Sequence, residues 1–216
     1  MKKSLNILLI FSLGVLSLYA LKVEAVLPLT GKMIVIDAGH GGLDPGTSFS
    51  QVYEKDINLQ IALYLEEYLS TSGALVILTR DGDYDLATPN AKHRKKSDFD
   101  NRIELINESN ADMYVSIHLN YLSDTYYAGP QVFYNFDNLE LAESIQESMN
   151  DELKGDREVK KIPSDTYMYK LINKPGVLIE CGFLSNTYER NLLNTSNYQQ
   201  KVAHSIMDGI ITYYKK

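Results

Sequence analysis

Residues 32–42 read Lys-Met-Ile-Val-Ile-Asp-Ala-Gly-His-Gly-Gly, a short β-branched run broken by glycines at 39, 41 and 42. Such a run reads as a strand buried on both faces, and the glycines release it into a loop where backbone can approach a ligand closely. Downstream the apolar spacing changes from strand to helix. Ile57, Ile61, Leu65 and Leu69, widened by Leu59, Ala62 and Leu63, put one stripe on a helix over 56–70, and Gly73 stops it. Further strands are predicted at 74–79, 113–119 and 177–180, with an edge strand at 131–136. Ser97-x-x-Asp100 resembles a capping box ahead of a helix holding Ile103, Leu105 and Ile106, and two more helices are predicted at 139–153 and 197–214. This alternation predicts an α/β fold: a single open, twisted, mixed but mostly parallel sheet with helices on both faces. No internal repeat or low-complexity linker marks a second folded domain, and 216 residues are enough for one core without staples.

Charge narrows the function. With 21 Lys and Arg against 28 Asp and Glu, the formal net charge of −7 argues against a partner bound through a phosphate backbone, so nucleic acid is not an expected ligand. The one cysteine, Cys181, forms no internal disulfide and builds no cysteine-rich metal site, which leaves His and carboxylate as metal ligands. Lys2 and Lys3 precede an uncharged, Leu- and Ile-rich stretch over 4–21, followed by the small residue Ala25. Residues 1–25 therefore read as a signal peptide or an N-terminal membrane anchor, the only expected membrane contact, with the catalytic domain over 31–216. Those first residues hold three Lys and one Glu, so the exported body carries −9. An extracytoplasmic location follows.

In an open α/β sheet, ligands bind beyond the carboxyl ends of the strands. His40 follows the first strand, Glu54 opens the first helix, and His118 ends the strand over 113–119. Two imidazoles and one carboxylate are the ligand set of an open catalytic zinc site, with water in the fourth position. Glu180 ends the strand over 177–180, where an acid after Val, Leu and Ile is costly to bury without a partner, and it is placed as the general base. Singly, Glu54 could complement a helix dipole, His40 could be a loop residue and His118 a satisfied core histidine; their convergence on one rim favours the metal reading. His93 lies among the cations of the 92–96 run and His204 within the last helix, so neither is assigned to the site. Alternation along the strand turns Cys181 away from the rim as a buried, inert thiol. The basic residues 92–96 read as a solvated loop, with contact to anionic wall polymer or lipid headgroups as the alternative, and Tyr121, Tyr126 and Tyr127 either stack on sugar faces or pack at the surface or an edge strand.

The strings over 34–42 (IVIDAGHGG), 54–56 (EKD), 78–80 (LTR), 111–120 (ADMYVSIHLN) and 177–186 (VLIECGFLSN) resemble zinc-dependent N-acetylmuramoyl-L-alanine amidases of the amidase 3 type, in the family's order. The segments around 98–102 (DFDNR) and 174–177 (KPGV) make the resemblance strongest to the spore-cortex, germination-specific branch. Ala38 and Cys181 stand where relatives often carry Pro and Val, and neither change removes a catalytic atom. The resemblance implies that His40, Glu54 and His118 bind Zn2+ and that Glu180 is catalytic. It implies hydrolysis of the amide between N-acetylmuramic acid and L-alanine in spore-cortex peptidoglycan, leading to muramic-δ-lactam. It also implies a place in the cell wall or the forespore intermembrane space, and it leaves open an activating lipoprotein partner. Two alternatives stand beside it: a zinc peptidase cutting within the stem peptide, and a catalytically silent wall-binding protein.

Overall fold

The computed structural model describes residues 26–135 and 138–216. The export segment expected over 1–25 lies outside the described residues, as does the end of the strand expected over 131–136. Strand β1 (Met33–Ala38) leads through a two-residue hairpin, β2 (Ser48–Phe49) and β3 (Val52–Tyr53), into helix α1 (Glu54–Thr71). Then come β4 (Leu75–Leu78), α2 (Arg94–Glu108), β5 (Met113–Asn120), β6 (Gln131–Tyr134), α3 (Leu139–Leu153), β7 (Lys160–Lys161), β8 (Gly176–Phe183), α4 (Thr187–Leu193) and α5 (Ser196–Tyr214). The main sheet has the order β4-β1-β5-β8-β6-β7. All its pairings are parallel except β6 with β8, which is antiparallel. The mixed, mostly parallel sheet expected from the sequence is therefore the one found.

Two cores sandwich the sheet. Along β5 the side chains alternate: Val115, Ile117 and Leu119 join Ile61, Leu65, Ile145 and Ile206 on the α1, α3 and α5 side. Tyr114 joins Val35, Ile103 and Ile106 on the α2 side. The same alternation in β8 puts Val177, Ile179 and Cys181 in the first core. Each fully buried Ile or Leu contributes roughly 2 kcal/mol through area removed from water. Because β5 and β8 are in parallel register with His118 opposite Glu180, those two side chains rise from the same face at the sheet's carboxyl end.

Two of the expected elements need correction. Helix α2 starts at Arg94, so Ser97 and Asp100 lie inside it and form no capping box. The Ser97 hydroxyl instead accepts from Thr88 N at 3.0 Å, and Asp100 accepts from the Tyr167 hydroxyl at 2.7 Å. The strand at 131–134 is not an edge, because β7 pairs outside it. Both β7 and α4 escape the sequence periodicity, being too short to show one.

Candidate metal centre

His40, Glu54 and His118 converge at the carboxyl ends of β1 and β5, each offering one ligand atom, with all three atoms within 4.8 Å of one another. Glu54 is the first residue of α1, where the positive end of the helix dipole favours a carboxylate. Its Oε1 lies 3.2 Å from His40 Nε2 and 3.0 Å from His118 Nδ1, and accepts from Leu119 N at 3.0 Å. Its Oε2 accepts from Thr47 N at 2.8 Å. Burial alone would raise the Glu54 carboxyl, but its hydrogen bonds and attraction to the two histidines hold it far below the usual carboxylate range.

Two glycines make this crowding feasible. A Cβ on Gly39 would stand 2.2 Å from His118 Cε1, and one on Gly46 would stand 2.6 Å from Glu54 Oε2 and 2.7 Å from His40 Cδ2. His40 itself has φ of 63°, a left-handed backbone that costs a non-glycine residue about 1–2 kcal/mol. The histidine rings meet edge to face with centroids 4.9 Å apart.

Asp44, absent from the sequence reading, orients one of these rings. Its Oδ2 lies 3.0 Å from His40 Nδ1, while its Oδ1 accepts from Gly46 N at 3.1 Å. A carboxylate on Nδ1, the usual second partner of a metal-binding histidine, keeps a proton there, so the proton an incoming cation would displace is the one on Nε2, which faces Glu54. Burial disfavours the imidazolium, yet Asp44 and Glu54 together raise the His40 pKa to about 9. The sequence signal for Asp44 is an acid four residues after His40 within the same glycine loop.

Glu180 stands beside this cluster. Its Oε2 is enclosed and has no hydrogen-bond partner among the described residues. Burial, chiefly, raises its pKa to about 7; the charge on His118 opposes the shift and that on Glu54 adds to it. Cys181 is fully buried on the opposite face, and burial pushes its thiol well above the usual range. His93 and His204 are both exposed and outside the cluster, His204 lying 3.3 Å from Asp208. The basic run is not the loop expected, because Arg94, Lys95 and Lys96 form the first turn of α2; there Arg94 pairs with Asp85, Lys96 with Asp100 at 2.6 Å, and Lys95 reaches Asp44 at 3.7 Å. Tyr121, Tyr126 and Tyr127 are exposed.

The chemistry of the donor set fits a divalent cation. Two imidazole nitrogens and a carboxylate oxygen come within 4.8 Å of one another, the carboxylate is ionised, and Asp44 holds one ring by Nδ1 so that its Nε2 faces the cluster. A cavity of about 130 Å³ opens alongside, lined by Gly39, His40, His118, Phe99, Tyr167 and Met168 among others.

This fold is shared with a known class of hydrolase. Residues 34–212 match the family described as N-acetylmuramoyl-L-alanine amidase. The chain is 42% identical over 194 residues to the germination-specific N-acetylmuramoyl-L-alanine amidase of Bacillus subtilis (strain 168), covering 87% of this chain and 82% of that protein. It is also similar to the CwlD amidase from Clostridioides difficile, whose structure is in complex with the GerS lipoprotein: TM-score 0.81, 44% identity, 85% of this chain and 98% of that one. An N-acetylmuramoyl-L-alanine amidase from Clostridium difficile 630 matches with a TM-score of 0.74 at 31% identity, over 86% of this chain and 97% of that one. The chain belongs to the N-acetylmuramoyl-L-alanine amidase family. Its activity is that of the family, exerted on peptidoglycan, and its location is extracytoplasmic. Among the described residues, no helix is long and apolar enough to cross a membrane.

Proposed function

We propose that the chain is a zinc-dependent amidase of spore-cortex peptidoglycan, with His40, Glu54 and His118 holding the metal and Glu180 moving the proton. The observation that carries this reading is the juxtaposition of the three-ligand cluster with a carboxylate oxygen that is enclosed and unpartnered. Zinc held there would supply a water of lowered pKa and a Lewis acid for the lactyl carbonyl.

The remaining work falls to the chain. With a pKa raised to about 7, Glu180 is ionised in a useful fraction of molecules at neutral pH and is not too weak an acid afterwards. Its carboxylate accepts a proton from the attacking water. As the carbon–nitrogen bond breaks, the protonated carboxyl returns that proton to the departing L-alanine nitrogen. Asp44 holds the His40 ring, and Thr47 N and Leu119 N hold the Glu54 carboxylate, so these groups need not reorganise during the step. The peptide stem leaves with a free L-alanine amino terminus and the glycan stays intact.

The germination-specific relative supports a role in spore cortex maturation, and on this reading stripped muramic acid is the precursor of muramic-δ-lactam. We further propose export by the segment over 1–25, action in the wall or the forespore intermembrane space, and an activating lipoprotein, supported by the lipoprotein complex of the C. difficile neighbour. Digestion of purified peptidoglycan with and without chelator, followed by product masses, tests the reaction. Free L-alanine amino termini that vanish with chelator are expected. A shortened stem would identify a peptidase, and binding without cleavage by zinc-loaded protein would identify a silent wall binder.

A further inference from the structure

Beneath the metal cluster lie two buried arginines, Arg80 and Arg102, each 1% exposed. Arg102 Nη1 donates to Asp37 Oδ1 at 2.7 Å and to Ala38 O at 2.8 Å, Nη2 to His40 O at 2.6 Å, and Nε to Asp98 Oδ2 at 3.0 Å. Arg80 Nε donates to Ala38 O at 2.9 Å, Nη1 to Gly82 O at 3.0 Å, and Nη2 to Gly39 O at 2.9 Å and Lys55 O at 2.8 Å. Three consecutive carbonyls, 38 to 40, are thus held by guanidinium groups, together with the carbonyl of the residue after Glu54.

Burying two like charges side by side is costly, and Arg80 shows the strain: burial, then the charge of Arg102, lowers its pKa to about 10. A pair serving stability alone would be matched to carboxylates. Arg102 has Asp37 and Asp98, but every hydrogen bond of Arg80 ends on a main-chain carbonyl. Three of those four carbonyls, at Ala38, Gly39 and Lys55, belong to the end of β1 that leads into the left-handed His40 and to the first turn of α1 behind Glu54; the fourth, Gly82 O, lies in the loop after β4. The planar fork of five donors suits this use, and a lysine's point charge does not.

We propose that Arg80 and Arg102 are positioning residues for the metal ligands, fixing the backbone of His40 and Glu54 so that their donor atoms meet before any cation arrives. This inference rests on reading His40, Glu54 and His118 as the metal site. Arg102 additionally ties Asp37, whose Oδ2 accepts from Ser116 on β5, so β1 and β5 are locked at the level where their histidines emerge.

The test compares wild type, Arg102→Lys, Arg80→Lys and a core control, Ile210→Val on α5, by zinc affinity in chelator competition, cobalt(II) absorption and Tm. The lysine variants are expected to bind zinc about 10- to 100-fold more weakly, the range seen when groups supporting metal ligands are lost, with a changed cobalt spectrum. The control should lower Tm and leave both metal readouts alone. If Arg102→Lys fails to fold, Asp98→Asn, which removes the Nε anchor and its charge and keeps an Oδ1 for Leu86 N, takes its place with the same expectation in smaller measure. Wild-type affinity and spectrum in the arginine variants, or an equal affinity loss in the control, would overturn the positioning role. Wild type that binds no zinc would instead overturn the metal site itself.

Discussion

Gly39 and His118 are in van der Waals contact only because residue 39 lacks a side chain: a Cβ there would sit 2.2 to 2.7 Å from three atoms of the imidazole. The histidine ring fills space that any other residue would claim. Gly39→Ala is therefore expected to drive His118 off the cluster and weaken zinc binding by about 100-fold or more, with the fold retained. Chelator competition alongside circular dichroism checks this, and a variant with normal affinity would show that the ring has room to move.

Replacing Glu180 by Gln keeps the shape and removes the base. Metal content should stay at about one zinc per chain. Amide cleavage should fall about 10²- to 10⁴-fold, the usual contribution of a positioned general base. Elemental analysis and product release from peptidoglycan measure the two halves. A near-normal rate would assign the proton transfer to another group.

Asp44→Ala should act on the metal through the His40 tautomer. Zinc affinity is expected to fall about 10- to 100-fold, since the ring loses the carboxylate that holds its Nδ1 proton. Activity at saturating zinc should recover in large part. Titration of activity against free zinc distinguishes this from a loss that no amount of metal restores.

Acid stability has a defined source in Asp37. Burial would raise its carboxyl, but Arg102 and the Ser116 hydroxyl outweigh that and hold it below the usual carboxylate range. A folded-state pKa below the unfolded one adds stability that is present above about pH 4 and lost as pH falls through the folded value. Asp37→Asn is therefore expected to be less stable at neutral pH by about 3 kcal/mol, because Arg102 keeps its burial and loses one of its two counter-ions. The gap to wild type should narrow below pH 4. Denaturant midpoints across pH 2 to about 7 follow it, and a gap that stays constant would place the acid sensitivity elsewhere.

The sheet and its rim were readable because their signals are local. The run at 33–38 shows its β-branched character in consecutive residues, the stripe from Ile57 to Leu69 shows its period, and the ends of β1 and β5 then place His40 and His118 without any contact map. The capping box at Ser97 failed because its hydroxyl is used by Thr88, nine residues back, which no spacing rule encodes. The arginine pair was hidden for a related reason: Arg80 and Arg102 hold the carbonyls of residues 38–40 from 41 to 64 positions away, and a carbonyl leaves no mark in the sequence. Asp44 sat in plain view in the glycine loop. Its role depends on which way the His40 ring turns, and that is set by the left-handed backbone at His40.

The parallel pairing of β1 with β5 aligns Ala38 with Ile117 and leaves the two histidines projecting just past the last rungs of that ladder. His40 and Glu54 belong to one short stretch of chain, but His118 reaches them only when the two strands have docked with α1 laid across them. A chain still extended, as during passage through a membrane, holds three separate weak ligands rather than a chelate. With the metal held as proposed, its capture would report that the centre of the sheet is complete, which would make hydrolytic competence a late event in the maturation of the protein and confine it to the compartment where folding finishes.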